Sequence, residues 1–348
     1  VYKKSRKESP SNFVPDRRRR LLVGLAALAG VASVFPRTAW AQSAEMSNFE
    51  RTLRSIRIWW TRLNSEPDEG DIEAANTTAY VTSQRPTPKT WSNNDVSLAW
   101  IGHSTFLINF AGTVILTDPV FSEKVGIDLL GLGTIGLRRF VPAALNYDDI
   151  PRPDLVLVSH AHMDHYDIPS LRRLPRNVPV TMARDTAEFV DGVGFSQLTE
   201  LDWGQSAEAG GVRIEATPAR HWGRRYPWDR DRGYNGYLLT KHGRTILFGG
   251  DTAYTDRLAS ALGGRRPDIV LLPIGGYDPY IANHASPEQA WSMFHELKAR
   301  SLAPMHWRTF RLSHERPFEP YERLSTAVNG SRQHIAIRAV GDTWTLPG

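Results

Sequence analysis

His160-Ala161-His162-Met163-Asp164-His165 places four metal-binding side chains within six residues, directly after the apolar run Leu155 to Ser159. The run predicts a short buried strand. Imidazole and carboxylate groups are costly to bury without partners, and the end of a strand does not require them, so core packing does not explain the cluster. The cluster therefore predicts a metal site at the end of this strand.

The spacing within the cluster predicts two metal ions rather than one. In an extended segment His160 and His162 point to the same side, so their imidazoles can bind one ion. If the chain then turns into a helix, as residues Asp167 to Leu174 indicate, Asp164 and His165 can reach a second ion. The chain has no cysteine, so thiolate ligands are excluded and the site must use histidines and carboxylates.

Three further candidate ligands each follow a predicted strand. A single histidine or aspartate at the end of an element more often serves only to make hydrogen bonds. Together with the six-residue cluster, however, the three complete a ligand set: His221 after Val212 to Thr217, Asp251 after Thr245 to Phe248, and His306 after Leu302 to Pro304.

The remaining pattern from residue 96 onward is that of one α/β domain. Two helices are indicated, one over Asp256 to Leu262 with Thr255 as its N-cap, and one over Pro287 to Ala299 with Ser286 as its N-cap and proline at the first helical position. The other predicted strands are Val96 to Ile101, Thr105 to Phe110, Val114 to Thr117, Gly236 to Thr240 and Ile269 to Pro273, the second and third being joined at Ala111-Gly112.

The first 41 residues have the pattern of an export signal. Arg17 to Arg20 precede the apolar run Leu21 to Phe35, and the small-residue pattern Ala39-Trp40-Ala41 follows. The arginines followed by two leucines resemble a twin-arginine signal, which would carry the folded protein to the periplasm. An ordinary secretory signal and an uncleaved membrane anchor stay open as alternatives.

The charge of the chain depends on this segment. The full sequence has a formal net charge of +5, but residues 1–41 contain nine of its basic and two of its acidic side chains, which leaves 33 basic and 35 acidic side chains, or −2. Nucleic-acid binding requires a basic surface on the mature domain, so it is not expected.

Residues 42–95 precede the catalytic domain, which we place at 96–348. Apolar residues recur at helical spacing from Ser47 to Leu63, with arginines among them, and a polar, proline-containing linker follows. This amphipathic helix could lie at a membrane surface or pack on the core. Packing on the core is favoured, because most apolar helix faces are buried that way.

The ligand pattern, taken in order, resembles the metallo-β-lactamase superfamily. The matching motifs are His160-x-His162-x-Asp164-His165, His221, Gly250-Asp251 and His306, together with Leu116-Thr117-Asp118-Pro119. The resemblance implies an αββα four-layer sandwich and two Zn²⁺ ions per chain. It places His160, His162 and His221 on one zinc, and Asp164, His165 and His306 on the other. Asp251 would bridge the two ions, and Asp118 would support the ligand loop from behind.

Within the superfamily, the chain resembles the N-acylphosphatidylethanolamine-hydrolysing phospholipase D family and its bacterial relatives from about Val96 to Tyr321. The motifs that carry this resemblance are Trp100-Ile101-Gly102-His103-Ser104-Thr105, Leu116 to Ser122, Pro273 to Pro279, His284-x-x-Pro287-Glu288-Gln289-Ala290 and His306-Trp307-Arg308-Thr309-Phe310. The resemblance implies hydrolysis of a phosphodiester in an N-acylphosphatidylethanolamine-like phospholipid, by a hydroxide that the two metals share.

The same resemblance assigns catalytic roles. Asp164 and Asp251 would orient the hydroxide, and His284 matches a histidine near the substrate, although hydrogen bonding at the entry to its helix explains His284 equally well. His103 could serve only to orient its loop. We expect the histidines outside every motif to be structural or solvent-exposed, namely His242, His295, His314 and His334.

One segment and two other functions stay open. The apolar, glycine-rich segment Ile127 to Leu137 could line an acyl pocket, contact a membrane or form a covered loop. A lactonase or other carboxyl-ester hydrolase with a small soluble substrate would use the same ligands. A non-catalytic metal-binding periplasmic protein is a further alternative, but the complete ligand set argues against it.

Overall fold

The structure is a computed structural model and describes residues 85–128 and 133–346, together with Gly70. The predicted export signal over residues 1–41 and the predicted amphipathic helix from Ser47 to Leu63 lie outside the described residues. Most of the segment Ile127 to Leu137 is described, but residues 129–132 are not.

Nine of the fifteen strands in the described residues correspond to predicted strands, and the other six were not predicted. The fifteen strands are β1 (Val96–Gly102), β2 (Thr105–Phe110), β3 (Thr113–Thr117), β4 (Lys124–Asp128), β5 (Thr134–Arg138), β6 (Leu155–Val158), β7 (Val180–Ala183), β8 (Leu198–Leu201), β9 (Ser206–Ala209), β10 (Val212–Thr217), β11 (Gly236–Lys241), β12 (Arg244–Phe248), β13 (Ile269–Pro273), β14 (Ser301–Met305) and β15 (Thr343–Leu346).

The helices are short and lie between these strands. The α-helices are α1 (Ile168–Leu171), α2 (Arg257–Ala261), α3 (Pro287–Glu296) and α4 (Glu319–Val328). Single 3₁₀ turns occur at Pro88–Thr90, Tyr147–Asp149, Ala187–Val190 and Arg332–His334.

Two mixed sheets make up the centre of the fold. The seven-stranded sheet has the order β15-β1-β2-β3-β6-β7-β8, and the six-stranded sheet has the order β14-β13-β12-β11-β10-β9. Strands β3, β6, β7 and β8 are mutually parallel in the first sheet, as are β12, β13 and β14 in the second. Parallel neighbours end at the same edge of a sheet, so the loops that leave β3, β6, β12, β13 and β14 are gathered at such edges.

Alternating residues of the strands build two cores. Leu98 and Trp100 of β1 belong to a core cluster that also contains residues of the six-stranded sheet and of α3 and α4, whereas Ala99 and Ile101 belong to a second cluster with Leu171 of α1. Both faces of β1 are therefore buried, as expected for a strand in an inner layer. The αββα sandwich is confirmed.

The turn predicted at Ala111-Gly112 is confirmed. Strands β2 and β3 pair antiparallel on either side of it, and both turn residues have positive φ angles, 47° and 86°. Two-residue hairpins favour this conformation because its twist matches that of the strands, and glycine adopts it without steric cost.

The predicted helix boundaries were partly wrong. Helix α1 ends at Leu171 instead of Leu174, and α3 ends at Glu296 instead of Ala299. Helix α2 begins after Asp256, while Thr255 only accepts a hydrogen bond from the Arg257 amide. The predicted cap at Ser286 is confirmed, because its hydroxyl accepts from the Gln289 amide in a capping box.

The segment Ile127 to Leu137 is part of a β-hairpin rather than a covered loop. Strands β4 and β5 pair antiparallel, with Gly126 opposite Gly136. A Cβ on Gly136 would lie only 1.9 Å from the Val125 carbonyl oxygen, so the two backbones require glycine here. The hairpin was missed although Val125, Ile127, Ile135 and Leu137 alternate with other residues in a strand pattern.

No helix among residues 85–128 and 133–346 is long and apolar enough to cross a membrane.

Candidate metal centre

The candidate ligands lie on loops that leave the sheets. Each of these loops begins where a strand ends. The hydrogen bonds of the sheet hold that strand in place, so the sheet positions the backbone that carries the ligand. The structure brings all seven sequence-predicted ligands together, namely His160, His162, Asp164 and His165 after β6, His221 after β10, Asp251 after β12 and His306 after β14.

Three imidazoles form one side of the centre. Nδ1 of His162 lies 2.8 Å from Nε2 of His160 and 3.1 Å from Nε2 of His221. The three rings meet nearly edge to face, so their nitrogens converge on one point. This is the group that the sequence assigned to the first metal ion.

Asp164, His165 and His306 form the other side. Nε2 of His165 and Nε2 of His306 each lie 3.5 Å from Oδ2 of Asp164. Oδ2 of Asp251 lies 3.1 Å from Nε2 of His165 and 2.9 Å from Nε2 of His306. The same oxygen is 3.8 Å from Nε2 of His221, so Asp251 faces both groups.

Hydrogen bonds to residues around the centre determine which ring nitrogen of His165, His221 and His306 faces the centre. Nδ1 of His165 donates to Oδ2 of Asp118 at 2.6 Å, and Nδ1 of His221 donates to the Asn283 carbonyl oxygen at 3.0 Å. Nδ1 of His306 points to the Gly275 carbonyl oxygen at 3.3 Å. Because Nδ1 of each ring is directed outward to an acceptor, Nε2 is the nitrogen that each ring presents to the centre and that would bind a metal ion once deprotonated.

Asp118 supports the ligand loop from within the core, as the resemblance implied. The side chain is fully buried and accepts from the Ser159 amide at 2.7 Å and from the Ser159 hydroxyl at 2.6 Å. The Ser159 oxygen in turn lies 2.9 Å from Nδ1 of His160 and can accept its proton. One carboxylate therefore orients His165 directly and His160 through Ser159.

The centre contains both neutral and charged side chains. Burial lowers the pKa of His162 to about 3 and that of His221 to about 4, so both rings are neutral and can act as ligands. Burial alone would also oppose charge on Asp164 and Asp251, but the histidines around them, His165 above all, hold both pKa values well below the usual range. Although burial alone would lower them, the two ionised carboxylates raise the pKa of His165 well above its ordinary value and that of His306 to about 9.

Buried charge of this kind needs cations beside it. Nε2 of His165, Nε2 of His306 and Oδ1 of Asp251 are buried and have no hydrogen-bond partner among the described residues. A bound divalent cation would displace the protons of the inward ring nitrogens and would satisfy the ionised carboxylates and the unpaired buried atoms. The residues present therefore fit a metal centre built from nitrogen and oxygen ligands.

Two further histidines contact the centre. Nε2 of His103 lies 2.8 Å from Oδ2 of Asp164 and can donate to it, and the ring packs 4.2 Å from that of His306. Nδ1 of His284 lies 3.7 Å from Oδ2 of Asp251 and has no hydrogen-bond partner within the described part of the chain. The helix-entry role considered for His284 is filled by Ser286 and Gln289, so the His284 ring faces the centre instead.

Two residues beside the candidate ligands were not predicted from the sequence. Arg225 is buried, and its Nη1 donates to the carbonyl oxygens of Ala161 at 2.8 Å and of Tyr166 at 2.9 Å. Trp222 lies against the His162 and His221 rings at 4.6 and 4.2 Å. An arginine and a tryptophan in a loop carry no local signal, because only the folded chain brings them to the ligands.

The histidines outside the motifs do not enter the centre. His242 lies in the turn between β11 and β12, and His295 lies on α3 against Trp291. The His314 amide donates to the Asp278 carbonyl oxygen, and Nδ1 of His334 lies 3.0 Å from the Arg300 carbonyl oxygen. None of the four is in the ligand groups that the described residues form.

Comparison with known proteins agrees with this geometry. The family model described as the beta-lactamase superfamily domain matches residues 113–307, more than half of the chain. This chain belongs to the beta-lactamase superfamily. The match includes every one of the seven candidate ligands.

Two relatives are similar to this chain over half or more of their own length. An uncharacterized protein of Mycobacterium tuberculosis is 31% identical over 257 residues, which cover 71% of this chain and 68% of the relative. The mitochondrial N-acyl-phosphatidylethanolamine-hydrolyzing phospholipase D of Saccharomyces cerevisiae is 33% identical over 239 residues, 65% of this chain and 50% of the yeast protein.

A solved structure of low sequence identity has the same fold. The isothiocyanate hydrolase from Delia radicum gut bacteria is 22% identical, and it aligns with a TM-score of 0.58 over 72% of this chain and 99% of its own. The superfamily membership, the relatives and the centre together identify the chain as a metal-dependent hydrolase.

Proposed function

We propose that this protein is a dinuclear zinc phosphodiesterase that hydrolyses an N-acylphosphatidylethanolamine-like phospholipid in the manner of a phospholipase D. One observation carries the proposal: two groups of three ligands face each other across the Asp251 carboxylate. Seven ligands are too many for one tetrahedral ion, and paired ions suit displacement at phosphorus. The likeness to the yeast phospholipase D supports the choice of substrate.

In the proposed centre His160, His162 and His221 hold one zinc, Asp164, His165 and His306 hold the other, and Asp251 contacts both. When bound, the ions would supply Lewis-acid stabilisation of the phosphoryl oxygens and lower the pKa of water. Zinc is favoured because five of these six ligands offer imidazole nitrogen and the sixth, Asp164, is a carboxylate.

The chain's own groups would orient the reactants. The Asp251 carboxylate can accept a hydrogen bond from the attacking water and so point its oxygen at phosphorus. Burial and the neighbouring rings keep the pKa of His284 well below the ordinary value, so its imidazole is neutral and can hydrogen-bond the substrate or the departing alcohol.

The overall reaction is a simple hydrolysis. A bond forms between the water oxygen and phosphorus, and the bond from phosphorus to the head-group oxygen breaks. Phosphatidic acid and an N-acylethanolamine result, with one water proton on the released alcohol. No covalent intermediate on a protein side chain is required.

We also propose that the protein docks on a lipid surface around the opening of the centre. Among the described residues, the exposed large apolar side chains are Trp203, Trp222, Trp228 and Ile281. Three are tryptophans, which favour the boundary between water and lipid. Trp222 packs on His162 and His221, Trp203 contacts Tyr234 next to His221, and Ile281 lies three residues before His284.

The electrostatics of the same region suit an anionic surface. In the loop from Arg220 to Tyr234, three arginines are exposed, Arg220, Arg224 and Arg230, against one exposed aspartate, Asp231. Arginines near tryptophans attract acidic lipid head groups while the rings insert among them. Docking here would present the centre to the membrane, and export through the residue 1–41 signal would place the protein at a periplasmic membrane face.

An isotope experiment tests the proposed reaction. The zinc-loaded protein is incubated with N-acylphosphatidylethanolamine in H₂¹⁸O, and both products are analysed by mass spectrometry. We expect phosphatidic acid and N-acylethanolamine in equal amounts, with ¹⁸O in the phosphatidic acid, because attack is at phosphorus. The Asp251→Ala variant serves as the inactive control. If the protein leaves this lipid intact but hydrolyses lactones, the carboxyl-ester alternative replaces this proposal.

A further inference from the structure

A cavity of about 510 Å³ lies beside the centre, on the side of His221. Its size is within the range of binding sites for small molecules. Six residues of its wall matter for its chemistry: Trp203, Arg220, His221, Tyr234, Tyr254 and Arg257. The wall is shared with the centre through His221, so a substrate held at the centre can extend into this cavity.

The cavity contains two arginines whose charge is not used elsewhere. Arg220 and Arg257 are both exposed, and neither guanidinium forms a hydrogen bond or ion pair with another residue that the structure describes. Asp256 contributes one negative charge to the same wall, which leaves an excess of one positive charge. Unpaired guanidiniums in a concave wall favour a ligand with a carboxylate or a phosphate.

The aromatic part of the wall is held in place by hydrogen bonds. The Trp203 indole donates to the Tyr234 carbonyl oxygen at 2.7 Å, and the two rings meet edge to face at 5.4 Å. The Tyr254 hydroxyl donates to Glu296 at 2.7 Å. Tyr234 in turn lies 6.4 Å from the His221 ring, so the aromatic wall reaches the ligands. Such a wall packs on the carbon skeleton of a polar group.

We propose that this cavity binds an anionic group on the alcohol that leaves during hydrolysis. The inference rests on the proposed phosphodiesterase function and specifies its substrate class: a phosphodiester whose head group carries a carboxylate or phosphate in addition to the scissile phosphate. The acyl chains of a phospholipid do not suit the cavity, because hydrocarbon would strip water from two guanidiniums without replacing its hydrogen bonds. Arg220 and Arg257 are therefore specificity residues and take no part in bond breaking.

Binding of two released alcohols provides the first test and needs no turnover. N-(2-hydroxyethyl)glutaramate and N-(2-hydroxyethyl)pentanamide have chains of equal length, but the first ends in a carboxylate and the second in a methyl group. We expect the zinc-loaded protein to bind the carboxylate compound about tenfold more tightly by calorimetry, as a charge-assisted hydrogen bond would give. The double variant Arg220→Gln/Arg257→Gln should lose this difference.

Arg300→Gln is the matched control. Arg300 is also an exposed arginine, and it directly precedes β14. His306 follows the opposite end of that strand, so Arg300 lies far from the cavity. This control should keep the tenfold difference. Equal binding of both compounds by the wild-type protein would overturn the inference, as would a difference that survives in the double variant, since the carboxylate would then bind at the centre itself.

Turnover provides the second test. N-glutaryl- and N-pentanoyl-phosphatidylethanolamine are compared in detergent micelles, so that membrane docking does not contribute. We expect KM to be about tenfold lower for the glutaryl lipid, and the double variant to raise only that KM, with kcat retained. Cleavage of both lipids with equal KM overturns the cavity assignment and leaves the proposed function intact. Cleavage of neither, with arginine-dependent binding of the glutaramate, overturns the proposed function alone.

Discussion

The Arg225 guanidinium donates a hydrogen bond to the Ala161 carbonyl oxygen at 2.8 Å, and the same nitrogen reaches the Tyr166 carbonyl oxygen at 2.9 Å. Ala161 stands between two candidate ligands, and Tyr166 follows the last ligand of the same loop. One buried side chain thus holds both ends of the segment that carries four ligands. This arrangement stabilises the ligand loop before any metal binds.

We expect Arg225→Met to loosen the ligand loop. The substitution leaves two buried carbonyl oxygens without a donor, which should cost about 2–3 kcal/mol of unfolding free energy. Urea denaturation of the metal-free protein measures this loss. Zinc affinity, measured by competition with a chelator, should fall by about tenfold or more.

Arg224→Met is the control for this prediction. Arg224 is the neighbouring residue, but it is exposed and pairs only with the exposed Asp231. Its loss should change stability by less than about 0.5 kcal/mol. If both variants behave alike, the loop does not depend on Arg225.

We expect Asp251→Ala to uncouple the two halves of the centre. The wild-type protein should contain about two zinc ions per chain by elemental analysis, and the variant should contain fewer, because both ligand groups lose the carboxylate between them. Activity should fall at least about hundredfold. One ion or none in zinc-replete wild-type protein would contradict the dinuclear centre.

His295→Ala is the matched control for the metal content. His295 lies on α3, edge to face with Trp291, and belongs to none of the ligand groups in the described residues. The variant should retain two ions and most of the activity. An equal loss in the two variants would show that the bridging assignment is wrong.

We expect Trp228→Ala to weaken binding to lipid vesicles. The side chain is 46% exposed and stacks on Tyr226 rather than on a ligand, so the centre should remain intact. Sedimentation with vesicles that contain phosphatidylglycerol should show about tenfold weaker binding, while cleavage of a soluble chromogenic phosphodiester stays near the wild-type rate.

Trp344→Ala controls for the general loss of a tryptophan. Trp344 pairs with Leu98 on β1, away from the turn that carries His103 at the other end of that strand. Its substitution should leave vesicle binding unchanged. Wild-type binding by Trp228→Ala would remove this loop from the proposed docking surface.

The export signal gives a prediction for residues outside the described structure. The protein recovered from the periplasm should have an intact mass that begins at Gln42, because cleavage is expected after Ala41. Replacing Arg18 and Arg19 with lysine should block export by the twin-arginine route. Normal export of the double variant would indicate an ordinary secretory signal.

Residue type and spacing alone predicted the candidate ligands and the strands that carry them. The cluster from His160 to His165 is local, and it follows a short apolar strand, so residue type and spacing were sufficient. His221, Asp251 and His306 were found for the same reason, since each follows a strand with a clear apolar pattern. The fold class followed from the order of these motifs and their resemblance to a known family.

Which other groups meet at the centre depends on the packing of the folded chain and could not be predicted from local sequence. His103 contacts Asp164 across 61 positions of the chain, and Arg225 contacts Ala161 across 64. The cavity beside His221 combines Trp203 with Arg257 in the same way. Such contacts depend on how two sheets and their loops pack, whereas local periodicity records only whether a residue is buried and in which element it lies.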